Sequence, residues 1–147
     1  MAERYRWTKA DIALGAGVAK TVVEIQTAAT RRAWICGWWA SFDGTSSANT
    51  PALIELLRAS AGITGNTLAA NPVDVAGVAA VSTVKHTATA EGTGTTVLDT
   101  WRIPPTGGIQ VPFEQRDYVL VGVSAFWRIR ITAAQAVNAT VGFWFEE

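Results

Sequence analysis

The chain has 147 residues, and its twelve basic and twelve acidic side chains cancel. That length fits one domain with a core large enough to need no staples. The absence of a basic excess argues against a domain drawn to nucleic acid or to an anionic membrane by its overall field. Charged residues are 16% of the chain and hydrophobic ones 49%, against about 25% charged in an ordinary domain. Much apolar surface must therefore be hidden, and self-association is one way to hide it.

Residues 1–17 precede any clear strand yet hold Tyr5, Arg6 and Trp7. Two aromatics so close together are poorly served by solvent, so this segment is expected to be an N-terminal arm docked on a neighbour. Its opening, MAERYRWTKADIALGAG, lacks the basic-then-apolar layout of a secretory signal. No stretch approaches the ~18 apolar residues of a spanning helix. The expectation is a soluble protein made in a cytoplasm.

Residues 18–27 are β-branched and read as a strand pairing with the next one, residues 31–43 (RRAWICGWWASFD). There, Trp34, Cys36, Trp38, Ala40 and Phe42 fall on one face by strict alternation, with Ile35 and Trp39 on the other. Apolar bulk on both faces predicts a cover on both sides, the second supplied by another subunit. Cys36 is the only cysteine, which excludes an intrachain disulfide or a cysteine-based zinc site, and its apolar setting reads as a buried, inert thiol. Asp43-Gly44 opens a turn-rich loop through Asn49.

Residues 51–60 are ambiguous. Thr50-Pro51 supplies a cap and a first-turn proline for a helix over ALIELLRAS, but the run is also compatible with a buried strand. Residues 61–77 are small, polar and proline-bearing, a long connection. Strands are predicted over residues 83–90, 97–103 and 109–113, with Pro112 suited to a sheet edge or strand end. Residues 118–132 alternate strictly, as one strand or as two joined near Gly122–Ser124, and 137–145 repeat the pattern. The last two runs read as a closing antiparallel hairpin. The fold class is all-β, an antiparallel jelly-roll or β-sandwich of about eight strands over residues 18–147.

Candidates for chemistry are few. His86, Glu91 and Asp99 are the only titratable cluster on offer, and no nucleophile elbow accompanies them; His86 reads as a strand histidine. The glycines at 92, 94, 107 and 108 lack a phosphate-loop lysine and read as turns. Asn138-Ala139-Thr140 matches a glycosylation sequon by chance. Arg128 and Arg130 share a strand face beside Phe126 and Trp127; bases could stack there, but with no further basic residues an inter-subunit face is favoured. No catalytic residue, metal or cofactor is assigned.

Seven tryptophans stand against one histidine, and nine of the twelve basic residues are arginine. Tryptophan and arginine are the side chains enriched where proteins meet partners. The stretch TAATRRAWICGWWASFDGTSSANTPALIELLRAS, with NPVDVAG, TVKHTATAEGT, VLDTWRIPPTGGIQVPF and the closing VNATVGFWFEE, resembles a family of small virion proteins of tailed bacteriophages. The resemblance covers most of residues 18–147. It implies a trimerising jelly-roll module like capsid decoration proteins or fibre heads, and a strand rather than a helix over residues 51–60.

The expected function is structural. A homotrimer would sit on the outer surface of an assembled phage head and cement it by linked contacts. It would contact the major capsid protein through Tyr5, Arg6 and Trp7, and its own copies through Trp34, Trp38, Trp39, Arg128 and Arg130. The alternative is a head-fibre or tail-tip module whose indoles stack on host glycans. Neither reading involves nucleic acid or membrane.

Overall fold

The computed structural model describes residues 2–44 and 50–147, so most of the turn-rich loop expected after Asp43 lies outside the described residues. The chain forms two antiparallel six-stranded sheets packed as a sandwich. Its strands are β1 (Arg4–Leu14), β2 (Ala19–Gln26), β3 (Ala33–Phe42), β4 (Ala52–Ala59), β5 (Thr64–Thr67), β6 (Asn71–Pro72), β7 (Thr83–Ala90), β8 (Thr96–Ile103), β9 (Gly108–Pro112), β10 (Val119–Val121), β11 (Phe126–Thr132) and β12 (Val137–Glu146). The first sheet runs β6-β1-β12-β3, with β9 and β10 both on the free side of β3. The second runs β5-β7-β2-β11-β4-β8.

Four pairings are nested: β1 with β12, β2 with β11, β3 with β9 and β10, and β4 with β8. Chain ends therefore pair with each other, and β1 to β4 alternate between the two sheets. Two sequence expectations fail for this reason. Residues 18–27 do not pair with 31–43, since β2 lies between β7 and β11 while β3 joins β12. Nor do β11 and β12 form a hairpin, because residues 133–136 carry the chain across from one sheet to the other. Alternation identifies the faces of a strand but not its partners.

The arm is the largest correction. Residues 4–14 form β1, hydrogen-bonded to β12 on one side and β6 on the other. Tyr5, Trp7, Ile12 and Leu14 point into the core, each no more than 2% exposed. Trp7 also donates from Nε1 to the Leu68 carbonyl at 3.0 Å. The two aromatics that ruled out a solvated tail pack on their own domain.

Residues 51–60 contain strand β4, as the resemblance implied and against the helix-cap signals. Ile54 and Leu56 face the core, while both neighbours, β11 and β8, satisfy its backbone. Tertiary pairing overrides a local preference of this size. The long connection of residues 61–77 contains two short strands, β5 and β6, one for each sheet. Pro112 ends β9 at the sheet edge, as its missing N–H requires.

Aromatics fill the space between the sheets. Phe143 touches Trp127 at 5.5 Å between centroids, Phe145 at 5.5 Å and Trp7 at 5.9 Å. Tyr5 stacks on Phe145 at 5.2 Å, and Trp101 meets Trp38 edge-on at 4.9 Å. Four of the seven tryptophans thus serve the domain's own core. The remaining three, Trp34, Trp39 and Trp144, lie on the outside of the first sheet.

Candidate functional site: the outer face of the first sheet

Alternation puts Trp39 and Trp144 outside, and a bulge puts Trp34 there with them. Along β12 and β3 the register runs Gly142 to Trp39, Phe143 to Trp38 and Trp144 to Gly37, then skips to Phe145 opposite Ile35. Cys36 is the extra residue. A bulge reverses side-chain parity, so Trp34 and Trp39 both point outward while Ile35 and Trp38 point inward. Strict alternation had put Trp34 on the same face as Trp38, and the structure corrects that.

Cys36 itself is buried, with its Sγ against the Trp34 carbonyl at 3.3 Å. Burial, reinforced by the nearby Glu146 carboxylate, pushes its thiol pKa up to about 11. A thiol so far from ionisation is a poor nucleophile, and the inert reading stands on that geometry.

Trp39 and Trp144 form a pair, half-buried, with centroids 5.5 Å apart and planes 27° apart. Each ring lies against a glycine of the neighbouring strand. A Cβ on Gly142 would collide with Cζ2 of Trp39, and one on Gly37 with Cζ2 of Trp144. Missing side chains beneath the rings are what let them settle on the sheet. The Arg6 guanidinium, from the exposed side of β1, sits 4.6 Å from the Trp39 ring centre, a cation–π contact. Arg4 lies one step along the same face and donates to Glu146 at 2.6 Å. Arg4, Arg6, Val73, Gln110 and Trp144 line a shallow hollow of about 240 Å³. Trp34 is 38% exposed and lies opposite the 39% exposed Leu120.

We expect Gly142→Ala to lift Trp39 off the sheet while leaving the core packed. Near-ultraviolet circular dichroism should change, with roughly 1–3 kcal/mol lost in denaturant unfolding from overpacking. An unchanged aromatic spectrum would contradict this account of the ring's seat.

The remaining residues singled out from the sequence are separated by the fold. Trp38 is wholly buried in the domain's own core, not at a surface. Arg128 is also wholly buried, on the outer side of the second sheet beneath the connections that follow β4 and β7, with its Nη2 2.5 Å from Glu24 Oε2. Arg130 pairs with Glu55 at 2.8 Å and remains partly exposed. As drawn by the structure, Trp38 and Arg128 are internal and only Trp34, Trp39 and Arg130 reach the surface. Strand period could not reveal that two loops close over the outside of β11. Trp144, opposite Gly37 in the register, is the partner of Trp39.

His86, Glu91 and Asp99 do not assemble. His86 points into the sandwich, 5.9 Å from the Trp7 ring, with Nδ1 2.9 Å from the Thr87 hydroxyl. Glu91 accepts from the amide and hydroxyl of Thr21, and Asp99 is exposed and accepts from the Thr100 amide. Among the described residues no group of three histidine, cysteine or acidic side chains is gathered for a metal. Asn138 lies in β12, where its amide group donates to Asp43 at 2.8 Å.

Burial, then the charge of Lys9, lowers the His86 pKa below its ordinary 6.5. A depressed folded value means stability is present above the unfolded pKa and is lost as pH falls through the folded one. Thermal unfolding of the wild type, compared with His86→Gln, should therefore lose ground on going from pH 7.5 to pH 5. A constant difference between the two proteins would refute the assignment.

No protein-family model, curated protein or solved structure matches this chain.

Proposed function

We propose that this chain is a structural virion protein of a tailed bacteriophage, a jelly-roll module that binds the outside of the assembled head as a homotrimer and cements it. Its partners are its own copies and the major capsid protein. The observation that carries this reading is the outer face of the first sheet. It presents Trp34, Trp39 and Trp144 with Arg4 and Arg6 on a rigid, fully paired strand framework. Indole and guanidinium groups held in place at low entropic cost are the side chains that dominate protein–protein contacts.

The jelly-roll reading is supported by the nested strand pairs and by the alternation of β1 to β4 between sheets. Trimerisation is supported by the apolar side chains on edge strand β8, where Val97 is 47% exposed and Leu98 39%. Apolar surface of this kind on a low-charge chain is well served by a second copy.

With the arm folded into the sheet, shell contact moves to Arg6, Trp39 and Trp144. Purified protein should bind undecorated heads, and Trp39→Ala with Trp144→Ala should abolish binding while the oligomer persists. Light scattering should return three times the 15.6 kDa chain mass; a stable monomer would refute trimerisation, and undiminished head binding by the double variant would refute the docking face.

A second reading, a head-fibre or tail-tip module that recognises host glycan, is favoured by the open hollow beside Trp144. Imaging of intact particles separates the two. A shell protein covers the head in many copies, whereas a tip occurs in few.

A further inference from the structure

We propose that the hollow bounded by Arg4, Arg6, Val73, Gln110 and Trp144 is a binding site for an acidic sugar, with the pyranose ring on the indole platform and its anionic group on Arg6. A face docked on a shell would cover this hollow, so the inference rests on the tip reading and deepens it by naming the class of sugar.

Three features of the site point to this ligand class. The first is a preformed aromatic platform. Trp39 and Trp144 are braced by each other and seated over Gly142 and Gly37, so little side-chain freedom is lost on binding. The apolar face of a sugar ring needs a surface of this kind, large, flat and already ordered.

The second is charge. Arg4 is claimed by Glu146 at 2.6 Å, but Arg6 has no acidic partner among the described residues. Its guanidinium is held over the Trp39 ring at 4.6 Å and keeps its planar N–H fork free for a carboxylate or similar anion. A neutral sugar would leave that charge unused, and an inorganic anion would leave the platform unused.

The third is the remaining wall. Gln110, opposite Trp39 in the register with β9, contributes an amide able to donate and accept. Sugar hydroxyls do both. Next to the hollow of about 240 Å³, and sharing Arg4 and Val73 with it, lies a wider groove of about 850 Å³ along Ala2, Glu3, Asp74, Gln115 and Glu146. An oligosaccharide can therefore continue past the residue anchored at Trp144. The carboxylates of Glu3 and Asp74 in that groove disfavour a second anionic unit immediately beside the first, so alternating acidic and neutral sugars fit better than a uniformly charged polymer.

The test is calorimetric titration of the full chain with three probes: a hyaluronan tetrasaccharide, whose glucuronate alternates with N-acetylglucosamine; neutral chitotetraose; and inorganic phosphate. The hyaluronan fragment is expected to bind with a Kd of about 0.1–1 mM, at least about tenfold tighter than chitotetraose, with the preference shrinking as salt rises. Arg6→Gln should abolish the preference for the acidic probe, and Trp144→Ala should remove measurable binding of both sugars. Arg102→Gln, exposed on edge strand β8 of the second sheet, should change nothing. Thermal unfolding confirms that each variant is folded before it is titrated. The proposal is overturned if neither sugar binds at about 10 mM, if phosphate competes as well as the hyaluronan fragment, or if Arg6→Gln keeps the preference.

Discussion

Deletion of residues 1–17 should leave no folded protein. The segment supplies β1, a strand paired on both sides within the first sheet. Its removal takes Tyr5, Trp7, Ile12 and Leu14 out of the core. Each such side chain contributes roughly 1.5–3 kcal/mol by burial, so the four together rival the whole margin of about 5–15 kcal/mol that holds a domain folded. Phe143 and Phe145 would also lose the ring faces of Trp7 and Tyr5, and β12 would become an unprotected edge. Far-ultraviolet circular dichroism and size-exclusion chromatography of the truncated chain provide the measurement. An arm that merely docks on a neighbour predicts the reverse, a folded domain with weakened attachment. A cooperative unfolding transition in the truncated protein would restore the arm.

That difference marks how far the sequence could be read. Strand identity was legible wherever alternation was long: residues 83–90 are β7, and 31–43 contain β3. Three failures share one cause. Trp7 looked like surface because nothing upstream offered it a strand partner; its partner strand, β12, starts more than a hundred residues downstream. The helix signals at Thr50-Pro51 were local and real, yet the pairing of β4 to both β8 and β11 outweighs them. The parity of Trp34 turned on a one-residue bulge at Cys36, which depends on the register with β12. In each case the deciding contact is distant in sequence, and periodicity carries no information about it.

The candidate site was half visible for the same reason. Tryptophan abundance signalled contact surfaces, and Trp39 and Arg6 were both singled out, but in different roles, one between subunits and one on an arm. Only the sheet order β1-β12-β3 brings them within 4.6 Å. Gly37 and Gly142 gave no sequence signal at all, since a glycine in a strand more often marks a bulge or a bend than a seat for an indole. The dipeptide Trp38-Trp39 divides the protein's two tasks. Its first ring closes the core against Trp101, and its second lies on the outer face with Trp144.

Arg128→Met should destabilise the domain far more than Arg130→Met, although the two arginines sit on one face of β11. Arg128 and Glu24 are directly opposite in the register and both 0% exposed. The guanidinium also donates to the carbonyls of Ala61 and Gly92, and the Glu24 carboxylate accepts from the Ile63 amide at 3.0 Å. This pair therefore ties two loops across the outside of the second sheet. Burial raises the Glu24 pKa above its ordinary value, with the Ile63 amide and Arg128 pulling it back. Removing Arg128 strands a buried carboxylate, a change that costs about 3–5 kcal/mol in comparable settings. For a domain of this size that is a fall in Tm of roughly 6–20 °C. Arg130 and Glu55 are partly solvated, so their separation costs only about 0–1 kcal/mol. A pH series identifies the mechanism. With its cation gone, Glu24 holds a proton in the folded state, so its raised pKa contributes stability that is present at low pH and lost as pH rises through that value. The deficit of Arg128→Met should accordingly widen from pH 5 to pH 8, and Glu24→Met in the same chain should recover most of it. Equal losses for the two arginine variants, with no dependence on pH, would show that the buried pair does not fasten these loops.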